Sequence, residues 1–536
     1  MKNFLGYISS GSLTEGFMMR IDPQVPLEQI KTGKFVSIVG ASHTFFSLVT
    51  DLSLEVAHPD ILLFPPTPTE TLLARALKQK DIYATAQLKP MLMLGKDEKP
   101  SPVKTVPPHF ASVYEANAKD VARIFGDENE ASKRYFNIGV PLDMTTPVCL
   151  DLERLVERSN GIFGKTGTGK TFLTRLVLAG LIKNEKAVNL IFDMHSEYGL
   201  QARKEGKTLN FVKGLKTLFN DKVAIFSLDP DSTRRRGASP DVELVLPYSA
   251  ISVEDILSLQ DELNLHSTAL EAAYLIVAKY KKNWLQELLS QEDLKEFAQN
   301  LGAHPESIAA LYRKLKRIER LPFLKPTATG AAYKDHSVID QMMEYINRGI
   351  SVVIEFGNFT STFIYLLIAN IITRRIHAEY VERTEKFLGS QKEEDKPRQL
   401  MITIEEAHKF LNPQAARQTI FGTIAREMRK YYVSLLVVDQ RPSGIDPEII
   451  SQIGTKIVAQ LNDEKDIQAV LTGINNATSL RSILTTLDSK KQALLLGHAL
   501  TMPVVIQTRE YDEEFYKAMG SQVSTKDINE FINEIF

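Results

Sequence analysis

Gly164-Lys165-Thr166-Gly167-Thr168-Gly169-Lys170-Thr171 fits the pattern G-x-x-x-x-G-K-[ST] over all eight positions. An apolar stretch, Ser159-Asn160-Gly161-Ile162-Phe163, precedes it, and Phe172-Leu173-Thr174-Arg175-Leu176-Val177-Leu178-Ala179 follows. That is the strand, loop and helix context in which the pattern works as a P-loop. Its chemistry is phosphate capture. Glycines let backbone N–H groups turn inward around an anion, at a helix N-terminus whose dipole also favours negative charge. Lys170 is then expected to reach the β- and γ-phosphates of a nucleotide, and Thr171 to place its hydroxyl on Mg2+.

Outward from this loop, apolar runs recur in the manner of buried parallel strands. They are Val188 to Asp193, Val223 to Phe226, Ile350 to Phe356, Leu400 to Ile404, Val433 to Val438 and Ala493 to Leu496. Strands alternating with helices point to a parallel sheet. Between 253 and 347 the texture turns helical, with Leu257, Leu263, Leu270, Leu275, Leu285, Leu288 and Leu289 among many Glu, Lys and Gln residues. Residues 1 to about 60 instead alternate short apolar runs with turn residues, the signature of a small antiparallel barrel or sheet. Pro100 to Pro108 reads as an extended connection. The expected fold class is therefore α/β: a P-loop (RecA-like) ATPase core with a parallel sheet, a helical insertion and an N-terminal small β-barrel. The expected divisions are 1–100 for barrel and linker, 101–252 and 348–510 for the two parts of the core, 253–347 for the insertion, and 511–536 for a tail.

A P-loop only binds nucleotide; hydrolysis of ATP needs a magnesium-side acid and a group that orients water. Leu400-Met401-Ile402-Thr403-Ile404-Glu405-Glu406-Ala407-His408 supplies a candidate for each. Glu405 is expected near the metal and Glu406 at the attacking water. Downstream, Arg426 and Arg429 lie three apart, expected on one helix face. Arginine stabilises charge on a transferring phosphoryl group, often from a neighbouring subunit. Gln440, after the strand Val433 to Val438, is placed to sense the γ-phosphate.

Composition narrows the class. The chain has 536 residues, enough for two to four domains, with 64 Lys and Arg against 66 Asp and Glu. A globally basic nucleic-acid binder is excluded, so any such surface is local. One cysteine, Cys149, excludes an intramolecular disulfide and suits a reducing, cytoplasmic setting. No signal peptide pattern opens the chain, and the most apolar stretch, Phe363 to Ile372, is too short to span a membrane and reads as a buried helix.

Taken together, the P-loop, Asp193-Met194-His195-Ser196-Glu197-Tyr198, the E-E-A-H box, A-R-E-x-R-K and Q-R-P-S resemble the HerA-like ATPases of the HerA/FtsK superfamily of hexameric DNA pumps. The resemblance runs from residue 1 to about 510 and is weaker in the barrel. It implies that Lys170 and Thr171 bind nucleotide and metal, with Asp193 and Glu197 lining the same site. It also implies that Glu406 is the catalytic carboxylate with Glu405 beside it, that Arg429 (or else Arg426) acts in trans, and that Gln440 is the sensor. One departure is Asp439, where the family usually has a small hydroxyl residue.

The function implied is an ATP-driven double-stranded DNA translocase or helicase, a homo-hexameric ring working with a NurA-type nuclease in DNA end processing, or with another effector enzyme in anti-phage defence. The barrel would dock that partner. The alternatives are a nucleotide-controlled scaffold ring for an effector enzyme, or a conjugation- or secretion-type ATPase; the latter usually has membrane segments, and none is expected here. Basic clusters available for DNA phosphates are Arg234-Arg235-Arg236 (in a candidate pore loop), Lys279 with Lys281 and Lys282, the run Arg313 to Arg320, and Arg374-Arg375.

Overall fold

The computed structural model describes residues 3–58, 63, 81–95, 100–142, 144–203, 211–326, 337–474, 480–481, 484–485, 487 and 491–520. The chain folds as two compact units. One takes in residues 1–155, 163–170 and 454–510, the other 156–162, 171–453 and 511–536.

In the first unit, six strands close into a barrel. Their order is Gly16–Ile21, Phe4–Ser12, Ser112–Glu115, Phe35–Val39, Thr44–Val56 and Ile82–Leu94, which returns to pair with Gly16–Ile21. Closure leaves no unpaired edge strand, and inward residues such as Met19, Val36, Ile38, Leu88 and Val113 fill the interior. The barrel's last strand lies beyond residue 100, and Pro100–Ser101 pairs with the end of Ile82–Leu94, so the expected extended connection is drawn into the barrel.

The same unit holds an antiparallel sheet in the order Thr455–Val458, Gln492–Gly497, Val504–Thr508, Tyr135–Pro141 and Val148–Asp151. The run Ala493 to Leu496 is therefore not a further parallel strand. The short link from Gly497 to Val504 allows only an antiparallel return, because a parallel neighbour needs a crossover of a dozen residues or more.

The second unit carries the parallel sheet, in the order Val242–Glu243, Val223–Ser227, Ser351–Glu355, Val188–Asp193, Leu400–Glu405 and Val433–Asp439. Apart from the two-residue edge strand, every residue of these strands is buried, which is why they read as continuous apolar runs rather than alternating ones. Helix Thr362–Ser390 buries Phe363 to Thr373 and then emerges, so the long apolar run is a core helix as expected. Among the described residues, no helix is long and apolar enough to cross a membrane.

The helical insertion contains Val253–Leu257, Ser267–Tyr280, Trp284–Leu289, Leu294–Leu301 and Pro305–Leu315. Ser252 and Asp255 form a capping box that satisfies orphan N–H groups at its entry, and Asp255 also accepts from Arg374 at 2.7 Å. Buried Trp284 donates its indole N–H to the Ile251 carbonyl at 2.8 Å. Near the end, helix Glu513–Ala518 is preceded by Tyr511, whose hydroxyl donates to the Lys213 carbonyl at 2.9 Å. The amphipathic stretch Ile528 to Phe536 lies outside the described residues.

Candidate nucleotide-binding site

The P-loop leaves strand Asn160–Phe163 and enters helix Lys170–Asn184. Gly167 and Gly169 have φ of 79° and 87°, conformations that a side chain would strain. At Gly164 a Cβ would lie 2.7 Å from Thr168 Oγ1 and 2.9 Å from the Ala459 methyl, so the turn accepts only glycine there. Thr168 Oγ1 and Lys170 Nζ both donate to the Lys165 carbonyl, at 2.8 and 3.0 Å, which draws the loop tight around its own backbone. Thr166 and Gly167 at the tip are exposed.

In the second unit, four neighbouring parallel strands end in acids. Glu355, Asp193, Glu405 and Asp439 close successive strands, and all four are buried. Asp193 accepts from the backbone N–H groups of Glu197 and Tyr198, both at 2.8 Å, and of Gly199 at 3.3 Å. Burial first, and then the facing Glu355, push the Asp193 carboxyl up to about 6 against those three donors.

The turn Asp193 holds carries Glu197 and Tyr198 in different directions. Glu197 Oε2 accepts from the Thr171 hydroxyl at 2.8 Å, and Tyr198 donates its hydroxyl to Glu405 Oε1 at 2.7 Å. Arg175, four residues after Thr171 and only 1% exposed, donates to the Glu197 carbonyl through Nε and Nη2. Glu405 is 9% exposed, and its Oε2 has no hydrogen-bond partner. Burial, reinforced by Asp193, pushes Glu405 up to about 8, so the carboxyl is mainly neutral at pH 7.

Glu406 follows directly in a left-handed backbone, φ 49°. Its Oε1 accepts from Gln440 Nε2 at 2.7 Å. His408 Nδ1 lies 3.0 Å from Asp439 Oδ2 and 3.7 Å from Glu406 Oε2, and the hydrogen bond to Asp439 raises the imidazole above its usual range. Asp439 also receives the backbone N–H groups of His408 and Arg441, each at 2.7 Å.

The sequence expectations are thus brought together in three groups: the loop from Gly164 to Lys170, Thr171 with Glu197, and Glu406 with Gln440. Two differ from expectation. Glu405 bonds Tyr198, whereas the acid on Thr171 is Glu197. Arg426 and Arg429 do not share one continuous helix, because Ile420–Glu427 ends before the 3-10 turn Met428–Tyr431. Arg426 reaches Glu448 at 3.3 Å and the Ala416 carbonyl at 3.0 Å within its own chain; the side chain of Arg429 lies outside the described residues. Sequence reasoning gave no individual role to Arg175, Tyr198 or His408 and did not foresee the anchoring part of Asp439. A lone arginine inside the apolar run after the P-loop was the one available signal for Arg175.

Residues 136–376 match the family model described as helicase HerA, central domain. The DNA double-strand break repair helicase HerA of Pyrococcus furiosus is 24% identical over 449 residues, covering 78% of this chain and 76% of that protein. Its namesake from Sulfurisphaera tokodaii is 24% identical over 523 residues, 95% of this chain and 93% of that one. Over its central part, and more distantly over most of its length, the chain is similar to HerA helicases. Among solved structures, VirB4 of Thermoanaerobacter pseudethanolicus aligns with a TM-score of 0.46 at 16% identity, over 71% of this chain and 98% of that one. The family-model match takes in the P-loop and the Asp193–Tyr198 turn, while Glu405, Glu406 and Gln440 follow it.

Proposed function

We propose that this chain hydrolyses ATP with Mg2+ to drive movement along double-stranded DNA, as a ring of six copies acting with a NurA-type nuclease in DNA end processing or with another effector enzyme in anti-phage defence. The observation that carries the reading is Glu406. It stands at the end of a buried strand, partly exposed, with one oxygen held by Gln440. A module that only binds nucleotide has no use for a carboxylate fixed in this way; a hydrolase needs one to orient water. Two relatives carrying the name DNA double-strand break repair helicase, similar over most of the chain, support the DNA substrate.

The residues fit a magnesium nucleotide. Thr171 offers a hydroxyl already oriented by a carboxylate, and among the described residues no cluster of three or more His, Cys, Asp or Glu forms a protein cage. Mg2+ suits such a place, because it prefers one or two protein ligands completed by phosphate and water. Bound there, it would neutralise charge on the β- and γ-oxygens. The chain's own residues do the rest. Backbone N–H groups from Gly164 to Thr171 would hold phosphate, and Lys170 would turn from the Lys165 carbonyl to the β- and γ-oxygens. Glu406 would accept a hydrogen bond from the attacking water, and Gln440, bonded to Glu406, would register loss of the γ-phosphate by moving the strand end it terminates. Arg429 is the candidate for the arginine supplied to the adjoining copy, since Arg426 is engaged by Glu448 and Ala416.

The test is ATP hydrolysis with and without linear duplex DNA, beside a Lys170→Ala control and a native-mass measurement. Stimulation by DNA that vanishes in the control, from a particle of six copies, is expected. Hydrolysis indifferent to DNA would refute the motor reading and point to a partner-gated ATPase.

A further inference from the structure

The turn between Asp193 and Gly199 is held more firmly than a surface loop requires. Three of its N–H groups converge on the buried Asp193 carboxylate. Ser196 adopts a left-handed φ of 56°, which reverses the chain so that Glu197 and Tyr198 diverge. The Glu197 carbonyl takes two donors from Arg175, a guanidinium kept almost out of water and packed 5.3 Å from the Phe172 ring centroid. Burying an arginine is costly unless its donors are used, and here Nε and Nη2 both go to one carbonyl. The consequence is local: Glu197 Oε2 rests on the Thr171 hydroxyl at 2.8 Å.

A hydroxyl that binds a cation does so through an oxygen lone pair, and its proton must then point at an acceptor. Glu197 Oε2 is that acceptor for Thr171. Glu405 is differently occupied. Its Oε1 receives the Tyr198 hydroxyl, its backbone N–H donates to the Tyr365 hydroxyl at 3.1 Å, and that same hydroxyl lies 3.2 Å from its carbonyl. These contacts make Glu405 a buried support for the turn that carries Glu197.

We infer that Glu197 is the carboxylate that serves the metal in this chain, by accepting the hydrogen bond of the Thr171 hydroxyl and so turning the oxygen lone pair toward Mg2+, and that Glu405 acts through Tyr198 as a positioning residue. The inference rests on the nucleotide reading proposed above and reassigns the acid on the metal side of that site. It also gives the Arg175 side chain a purpose, which is to fix the backbone from which Glu197 projects.

The experiment reads metal affinity rather than turnover. Mn2+ binding to the ADP complex is measured by electron paramagnetic resonance for wild type, Glu197→Gln, Glu197→Asp, Glu405→Gln and Thr171→Ala, with ADP affinity in EDTA measured alongside. Glu197→Gln is expected to weaken Mn2+ by about 10- to 100-fold, as loss of an outer-shell partner does, while leaving metal-free ADP affinity unchanged. Glu197→Asp should recover part of the loss, and Glu405→Gln should leave Mn2+ affinity near wild type. In the Thr171→Ala background, Glu197→Gln should add nothing, because both act through one hydroxyl. Unchanged Mn2+ affinity in Glu197→Gln, a loss in Glu405→Gln as large as in Glu197→Gln, or additive losses with Thr171→Ala would each overturn the assignment. A wild-type protein that binds no ADP, with or without metal, would refute the nucleotide reading itself and is recognisable as such.

Discussion

Gln440 Nε2 donates to Glu406 Oε1 across 2.7 Å, joining the residues that follow two adjacent parallel strands, Leu400–Glu405 and Val433–Asp439. The bond fixes one oxygen of Glu406 and leaves the other facing His408 at 3.7 Å.

If Glu406 orients water, Glu406→Gln removes the acceptor while keeping the shape of the side chain. Its kcat should fall by about two to four orders of magnitude, the range of general-base contributions, with nucleotide affinity retained. Gln440→Ala should lower kcat less, because it loosens Glu406 without removing it. Steady-state ATPase assays beside fluorescent-nucleotide titrations check both. Lost nucleotide affinity in Glu406→Gln would contradict the assignment.

Asp439 holds the strand end together by a second route. It is 1% exposed and accepts from His408 Nδ1 and from two backbone N–H groups. The hydrogen bond to Asp439 raises the His408 pKa, so the pair stabilises the fold fully below the ordinary histidine pKa of about 6.5 and loses that contribution as pH rises through the raised value. In Asp439→Asn the amide oxygen still accepts backbone N–H groups, but the charge is gone. The melting temperature of the variant should therefore fall below wild type by more at pH 6 than at pH 9. A difference independent of pH would show that His408 is neutral throughout.

Glu405 supplies a pH dependence of opposite origin. Its carboxyl is pushed from an ordinary 4.5 up to about 8 by burial and Asp193, so the folded state holds a proton that the unfolded state releases. Stability from this group is present below about 4.5 and is lost as pH rises toward 8. Asp193 contributes in the same sense, but only up to about 6. Glu405→Gln mimics the protonated acid and should flatten the curve. Without nucleotide or metal, its melting temperature should gain several degrees on wild type between pH 6.5 and 8.5. A parallel pair of curves would mean that Glu405 is ionised at neutral pH.

The P-loop and the parallel strands were legible because they are local: fixed spacing of Gly, Lys and Thr in one case, unbroken apolar runs ending in acids in the other. The direction of Gln492–Gly497 was not, since an apolar run gives burial without polarity, and the short link to Val504 had to be weighed. The barrel's closing strand escaped for a similar reason, as Ser112–Glu115 is four residues long and far in sequence from its neighbours. At the site, residue types singled out the acids but not their pairing. Thr171 with Glu197 and Tyr198 with Glu405 are set by a left-handed turn at Ser196 and by a buried Arg175, neither of which leaves a periodic trace. The family pattern marked Asp439 as unusual, yet only the fold shows His408 as its partner.

The triple arginine, expected as a pore loop, begins within a short helix, Pro230–Arg235, capped by Asp229. Arg234 pairs with Asp231 and Glu243, and Arg236 Nη2 lies 2.6 Å from Glu355, which is fully buried and also accepts from Thr233 at 3.0 Å. Arg236→Ala would strand a buried carboxylate beside Asp193, since the two acids face each other in the parallel ladder. Breaking such a pair costs about 3 to 5 kcal/mol when both partners are buried, and less is expected here because only Glu355 is buried while the Arg236 side chain is 28% exposed. Arg235→Ala, on an exposed residue, should leave stability within about 0.5 kcal/mol of wild type. Urea unfolding separates the two: Arg236→Ala should lower the midpoint clearly and Arg235→Ala should not. If instead both unfold like wild type and both weaken duplex DNA binding with a reduced salt slope, the cluster contacts phosphate and the Arg236–Glu355 pair contributes nothing to the fold.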